Sequence, residues 1–81
     1  MKRSVYLFAA ARQACGRAVV ELELPSTATV GELRQTLAFQ LPELEPLLTR
    51  CHFALDNQYA ADSSPLAAAS EIACIPPVSG G

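Results

Sequence analysis

Apolar and polar residues alternate near the start of the chain in the manner of β-strands. Between Val20 and Leu24 the alternation is strict, which predicts a strand with three apolar side chains turned inward and two glutamates in water, ended by Pro25. The run Val5 to Phe8 is apolar on both faces, as is typical of an interior strand. Because Ala9 to Gly16 leaves room only for a loop or a single helical turn, we expect the two strands to form an antiparallel hairpin.

A helix is predicted after these strands. Thr29 and Glu32 have the spacing of a capping box, in which each side chain takes a backbone N–H of the other residue. From there apolar residues recur on one helical stripe as far as Pro42, which ends the helix: Val30, Leu33, Leu37 and Leu41. The leucines between Leu44 and Leu48 fit either a short second helix or a packed loop.

The second half of the chain predicts two more regions of strand. Cys51 to Leu55 has strand periodicity, Asp56-Asn57-Gln58 supplies a turn before Tyr59 and Ala60, and Ile72 to Ile75 is the last strand. Leu66, after the turn Asp62 to Pro65, is expected in the core. The order β-β-α-β-β predicts the α+β class, with a mixed sheet packed against one main helix.

One helix covers only one face of such a sheet. The first and last predicted strands are apolar on both faces, so the second face is expected to carry an apolar surface. Two readings remain open for it. A partner protein covers this face, which we favour, or the segment Leu44 to Leu48 folds over it.

Composition narrows the function classes. The chain has 81 residues, of which 51% are hydrophobic and 17% charged, as expected for one small globular domain. Its net charge is −2 and its Lys and Arg residues are not clustered, which argues against nucleic acid or an anionic membrane as partner. The apolar run Val5 to Ala11 is too short for a membrane span. Other proteins are the expected partners.

The side chains that often carry chemistry form no recognisable site. Three cysteines, Cys15, Cys51 and Cys74, are widely spaced without a Cys-x-x-Cys pair, so we expect reduced thiols in a cytoplasmic protein and no zinc site. His52 follows Cys51 directly, but adjacent strand residues point to opposite faces, which disfavours a catalytic pair. Ser79 has no His or Asp near it in sequence and is interpreted as a spacer.

The last six residues carry the most specific signal. Pro76 and Pro77 lack backbone N–H groups and stop strand pairing, so we divide the chain into a domain of residues 1–75 and an extended tail of residues 76–81. Gly80 and Gly81 have no side chains, so a narrow channel would admit them. Extended, six residues span about 20 Å. The alternative is an ordinary frayed terminus.

Along nearly all its length the chain resembles the small subunit of molybdopterin synthase, a sulfur carrier with the ubiquitin-like β-grasp fold. The matching segments are Val5 to Ala9 with Arg12, Leu24-Pro25, Thr29 to Leu33, Asn57 to Tyr59, Ser64 to Leu66, Glu71 to Ala73, and the tail Pro76-Pro77-Val78-Ser79-Gly80-Gly81. In that family the turn before the last strand usually reads Asp-Gly-Asp-Glu. Here it is Ala68-Ala69-Ser70-Glu71, without the glycine, which puts the local turn geometry in question.

The resemblance implies that Gly81 is the reacting residue. An adenylyltransferase similar to ubiquitin-activating enzymes would consume ATP to adenylate its carboxylate, and a persulfide donor would supply the sulfur of a thiocarboxylate. That sulfur would attack cyclic pyranopterin monophosphate inside the large subunit, in a heterotetramer, to build the dithiolene of molybdopterin. The small subunit alone would bind no cofactor or metal, and the catalytic side chains would lie on the large subunit.

The resemblance also suggests an interface at Phe8, Arg12 and Ile75, although Phe8 and Ile75 also suit a core. Two other functions stay open: a sulfur carrier for thiamine synthesis or tRNA thiolation, and a ubiquitin-like interaction module whose terminus does no chemistry. Whether the metal is molybdenum or tungsten does not follow from the residues.

Overall fold

The computed structural model describes residues 1–77. The elements are β1 (Lys2–Leu7), α1 (Ala9–Cys15), β2 (Val19–Glu23), α2 (Val30–Gln40), a 3-10 turn (Pro42–Leu44), α3 (Glu45–Leu48), β3 (His52–Leu55), β4 (Gln58–Ala60) and β5 (Ile72–Ile75). Part of the predicted tail lies outside the described residues, namely Val78, Ser79, Gly80 and Gly81. Among the described helices, none has the length and apolar character needed to cross a membrane.

The five strands form one mixed sheet in the order β2-β1-β5-β3-β4. β1 is parallel to β5, whereas β1 with β2, β3 with β4 and β3 with β5 are antiparallel. The α+β class, the mixed sheet and the predicted hairpin of β1 and β2 are confirmed. The last strand therefore lies in the middle of the sheet, and its carboxyl end is at the same edge as the end of β1.

One correction concerns the connection inside the hairpin. The sequence left a loop or a single helical turn, but residues Ala9–Cys15 form a helix of seven residues. Gly16 ends it with φ 77°, in the left-handed region that a residue without Cβ adopts at little cost. The predicted strand Val5 to Phe8 is also shifted, because Phe8 is the N-cap of α1 and not part of β1.

Helix α2 begins where the capping box predicts. The Thr29 hydroxyl accepts from the Glu32 N–H at 3.3 Å, and the Glu32 carboxylate accepts from the Thr29 N–H at 3.1 Å. The predicted stripe faces the sheet: Val30, Leu33 and Leu37 are buried, and Leu41 at the C-cap is half-buried. The capping signal thus sets both the start of the helix and the face it presents.

The core lies between the sheet and the helices. Val20, Leu22 and Leu24 point inward as predicted, and Phe53 and Leu66 are completely buried. The segment after α2 contributes to this same core, because Leu44 and Leu48 are buried in it. The reading in which residues 44–48 cover the opposite face of the sheet is therefore wrong, and that face has no helix over it within the described residues.

The turn before β5 lacks a glycine and is anchored by a side chain. One oxygen of Asp56 accepts the N–H groups of Ser70 and Glu71 at 2.9 and 2.8 Å. Asp56 itself sits at φ 51° in the two-residue turn between β3 and β4. From the other side, the Arg3 guanidinium donates to the carbonyl oxygens of Leu66 and Ala69. The loop that leads into β5 is held from both ends.

Candidate functional site

The candidate site is the place where the chain leaves the sheet, which we call the tail root and define as Phe8, Ile75, Pro76 and Pro77. The end of β5 is fixed there, because the Phe8 N–H donates to the Cys74 carbonyl at 3.3 Å. Ile75 is half-buried, Pro76 is buried and Pro77 is exposed. Within the described residues, the body thus holds the chain as far as Pro76 and leaves Pro77 exposed.

Arg12 lies one helical turn from the tail root. Its backbone N–H donates to the Phe8 carbonyl at 3.3 Å, and its side chain is exposed. The ion pairs of residues 1–77 do not include it. Arg12, Ala9, Gln13 and Gly16 line an open depression of about 450 Å³ on α1. The structure therefore brings the three predicted interface residues, Phe8, Arg12 and Ile75, to one end of the molecule.

Phe8 and Ile75 are not core residues. Phe8 is 48% exposed, and Ile75 has a half-buried side chain at the end of β5. Ile75 is paired with His52 of β3 in the sheet. The sequence allowed these two residues to lie either in the core or at the surface, and the structure places both at the surface. Their role in binding a partner stays a prediction.

A row of apolar side chains runs across the uncovered face, and the sequence alone does not predict it. Register places Val19, Tyr6, Ala73, Ala54 and Tyr59 side by side on the five strands, and we call this set the outer row. Tyr6 is 41% exposed, Tyr59 is more exposed, and Ala54 is buried beneath its neighbours. The row follows from the pairing of β1 with β5, which are far apart in sequence, so local periodicity does not reveal it.

His52 belongs to this face and not to a catalytic pair. Its ring stacks on Tyr59 with centroids 5.1 Å apart and planes 11° from parallel. Cys51 is buried on the other side of the strand. Because the two side chains point to opposite faces, the prediction against a Cys-His pair is consistent with the geometry.

The two buried thiols are chemically quiet. Burial raises the pKa of the Cys74 thiol, with the neighbouring Cys51 adding to the effect, and burial also raises the pKa of Cys51. Both therefore stay protonated at neutral pH, where a thiol is a poor nucleophile. No set of three His, Cys, Asp or Glu side chains within residues 1–77 is arranged to hold a metal ion.

Comparison with known proteins agrees with this picture. The model of the ThiS family matches residues 5–81. The molybdopterin synthase sulfur carrier subunit of Arabidopsis thaliana is 36% identical over 77 residues, covering 95% of this chain and 80% of that protein. The corresponding subunit of Chlamydomonas reinhardtii is 32% identical and is matched over 100% of both chains.

Solved structures show the same fold. The small archaeal modifier protein 1 of Haloferax volcanii superposes with a TM-score of 0.81 at 27% identity, covering 95% of this chain and 98% of that one. Subunit 1 and 2 of the molybdopterin-converting factor from Helicobacter pylori were solved as a complex, and the match there has a TM-score of 0.68 at 23% identity over the full length of both chains. The fold is therefore the ubiquitin-like β-grasp, and the chain belongs to the ThiS family.

Proposed function

We propose that this chain is the sulfur carrier subunit of a molybdopterin synthase and that Gly81 carries the sulfur. The observation that supports this most is the match to two sulfur carrier subunits of that enzyme over 95% and 100% of the chain, at 36% and 32% identity. The family match extends to Gly81 itself. A body that buries Pro76 and exposes Pro77 suits a terminus handed to other proteins.

The proposed reaction starts from a carboxylate, which has no usable leaving group. An adenylating partner joins the Gly81 carboxylate to the α-phosphorus of ATP and releases pyrophosphate. The outer sulfur of a persulfide donor then attacks the acyl carbon and displaces AMP, which gives an acyl disulfide. A second thiol reduces this bond, so that the donor leaves as a disulfide and a thiocarboxylate stays on Gly81. This softer nucleophile attacks cyclic pyranopterin monophosphate bound to the large subunit. Delivery of a tethered nucleophile into a preformed pocket supplies the advantage of high effective concentration.

The carrier's own contribution is positioning. Pairing of β5 with both β1 and β3 fixes the direction in which the chain leaves the sheet. Acid–base and phosphate-binding groups belong, in this proposal, to the partners, and the carrier works in the cytoplasm without a bound cofactor or metal. Two small and two large subunits would form the complete enzyme.

The proposed contact with the large subunit is the uncovered face of the sheet together with Phe8, Arg12 and Ile75. Apolar side chains of the outer row continue to the tail root, so a protein seated there buries them and receives the tail in one docking event. The complex of subunits 1 and 2 from Helicobacter pylori supports a two-subunit arrangement. Val78, Ser79 and Gly80 would pass through the partner's channel, where small side chains meet least resistance.

Intact-mass measurement tests the proposal. The chain is incubated with ATP, the adenylating partner and a sulfur source, and we expect exchange of one oxygen for one sulfur at Gly81. A chain lacking Gly81 is the matched control, and it is expected to fold normally and to stay unmodified. Pyrophosphate release without any sulfur incorporation, with an active donor present, would contradict a carrier role.

A second candidate is a ubiquitin-like protein whose terminus serves attachment or interaction. The likeness to a small archaeal modifier protein favours it. It predicts that activated Gly81 forms amides with lysines of other proteins and that the large subunit gains no activity from the chain. A sulfur carrier for thiamine synthesis or tRNA thiolation is distinguished by the partner that co-purifies with the chain.

A further inference from the structure

The distribution of amines in this chain is uneven. Lys2 is its one lysine, and the other basic side chains are the arginines Arg3, Arg12, Arg17, Arg34 and Arg50. The chain's remaining amine is the α-amino group of Met1. An amine with a free electron pair attacks an activated acyl group and gives an amide, whereas a guanidinium stays protonated in proteins and does not. The placement of the two amines therefore bears on what an activated terminus meets.

Both amines lie at the end of the sheet away from the tail root. Lys2 opens β1 and is paired with Glu23 of β2. Because β1 and β5 are parallel, the tail root is at the other end of β1, and the five residue steps from Lys2 to Leu7 amount to roughly 17 Å. Four residues beyond Pro77 extend at most about 14 Å. Lys2 is therefore at or past the limit of what Gly81 reaches on its own body.

The α-amino group is held in addition to being distant. It donates to the Leu24 carbonyl and pairs with the Glu23 carboxylate at 3.2 Å. An ammonium engaged by a carboxylate and a carbonyl has no free electron pair with which to attack.

Close to the tail root, the cationic residue is an arginine. Arg12 is one helical turn from Phe8, and Phe8 is bonded to the end of β5. Its side chain is exposed and lines the open depression on α1. A lysine here would place a primary amine well within the reach of Gly81, at the high effective concentration that a short tether gives.

The chain's thiols are withheld as well. Cys51 and Cys74 are buried in the core, and Cys15 on α1 is half-buried against it. A thiol that stays protonated inside the core does not compete for an acyl group. Within residues 1–77, the amines that would intercept an activated terminus are thus distant or engaged, and the thiols of Cys51 and Cys74 are buried.

We propose that Arg12 is a specificity-determining residue: a cation without a nucleophilic electron pair at the tail root, which leaves no amine of the chain itself there to capture activated Gly81. This inference rests on the proposed function, because it assumes that Gly81 becomes activated. The excluded side reaction forms a C–N bond between the acyl carbon and an amine, breaks the bond from that carbon to the leaving group, which departs with the electron pair, and passes the amine's proton to water. Its product is a closed loop that carries no sulfur.

The test uses the full chain with Gly81 converted to a thioester of a small thiol, which needs no adenylating partner. Arg12→Lys is compared with the unaltered chain at pH 8, and intact mass follows hydrolysis and cyclisation. In the Arg12→Lys variant we expect loss of the small thiol without gain of water, at least about tenfold faster than in the unaltered chain. Peptide mapping should place the new bond at position 12 and not at Lys2, which is the internal control.

A second variant guards against a local effect of the substitution. Gln13→Lys puts an amine on the neighbouring exposed position of α1 and is expected to cyclise too, whereas Lys2→Arg should leave the hydrolysis of the unaltered chain unchanged. Hydrolysis alone in both lysine variants overturns the proposal, as does fast cyclisation of the unaltered chain on Lys2 or Met1. Because no partner enters this assay, failure of the adenylation chemistry would appear only in the separate sulfur-loading experiment.

Discussion

At the scale of single residues, Asp56 anchors the turn before β5 with its side chain. Its carboxylate accepts two backbone N–H groups of the turn before β5, and its φ of 51° is one that Asp and Asn tolerate better than other residues with a Cβ. Asp56→Ala removes both the hydrogen-bond acceptor and the tolerance for positive φ. We expect it to lower the free energy of unfolding by about 2 kcal/mol, which urea denaturation measures.

Asp56→Asn is the matched control for this change. It keeps a side-chain oxygen and the tolerance for positive φ, and loses only the charge, so we expect about half of the effect of alanine. Equal stability of the alanine variant and the unaltered chain would show that the turn before β5 does not depend on this side chain.

The sequence alone predicts part of the arrangement around the turn before β5. The Asp56-Asn57 turn and the missing glycine at Ala68 to Glu71 are both visible in the sequence, and each was identified separately. The hydrogen bonds between the two segments are not visible in the sequence, because the pairing of β3 with β5 brings these segments together. The same holds for Arg3, whose partners Leu66 and Ala69 are more than 60 residues away.

At the scale of elements, the sequence predicts helices and strands correctly where it contains a capping motif or a clear alternation of apolar and polar residues. Helix α2 starts at its capping box, and β5 has the predicted bounds. Helix α1 was underestimated because its N-cap, Phe8, makes no side-chain capping bond and the segment has no apolar stripe to read. Its length is set by packing and by Gly16, which the sequence indicated only as a closing residue.

Arg34 joins several of these elements. From α2 its guanidinium donates to the Leu48 and Cys51 carbonyls and to Asp62, and it lies 5.0 Å from the centre of the Phe53 ring. Arg34→Ala leaves two carbonyls without their donor, and we expect a loss of about 3 kcal/mol in the free energy of unfolding. Thermal and urea denaturation provide the measurement.

Two variants separate the contributions at this junction. Arg34→Lys keeps the charge but loses the planar fork that spans three acceptors, so about half of the loss should remain. Asp62→Ala removes only an exposed ion pair and should cost less than about 1 kcal/mol. If Arg34→Lys were as stable as the unaltered chain, the charge and not the fork would hold α2 to α3 and β3.

At the scale of the whole molecule, the sheet has two different faces. The sequence predicted an apolar second face and a tail at residues 76–81, because strand alternation and the Pro-Pro stop are local features. It did not predict that the outer row and the tail root meet, since this depends on the parallel pairing of β1 with β5. The fold thus unites two signals that the chain carries about 70 residues apart, at Tyr6 and at Pro76.

The meeting of the outer row and the tail root leads to a prediction about binding of the large subunit. Tyr6→Ala and Phe8→Ala each remove an exposed aromatic ring from the uncovered face and its edge, and we expect each to weaken binding to the large subunit by about 10- to 100-fold, as loss of an interface anchor does. Isothermal titration calorimetry measures the dissociation constants. Both side chains are more than 40% exposed, so the thermal midpoint of the isolated chain should change little.

Phe39 supplies the control, because it is 86% exposed but lies on α2, on the helix side of the sheet. Phe39→Ala removes more exposed apolar surface than either test variant and should leave the dissociation constant unchanged. If binding depended only on total exposed apolar area, Phe39→Ala would weaken it most. Weakening by Tyr6→Ala and Phe8→Ala alone would assign the docking surface to the uncovered face and its edge at the tail root, and not to the helix side of the sheet.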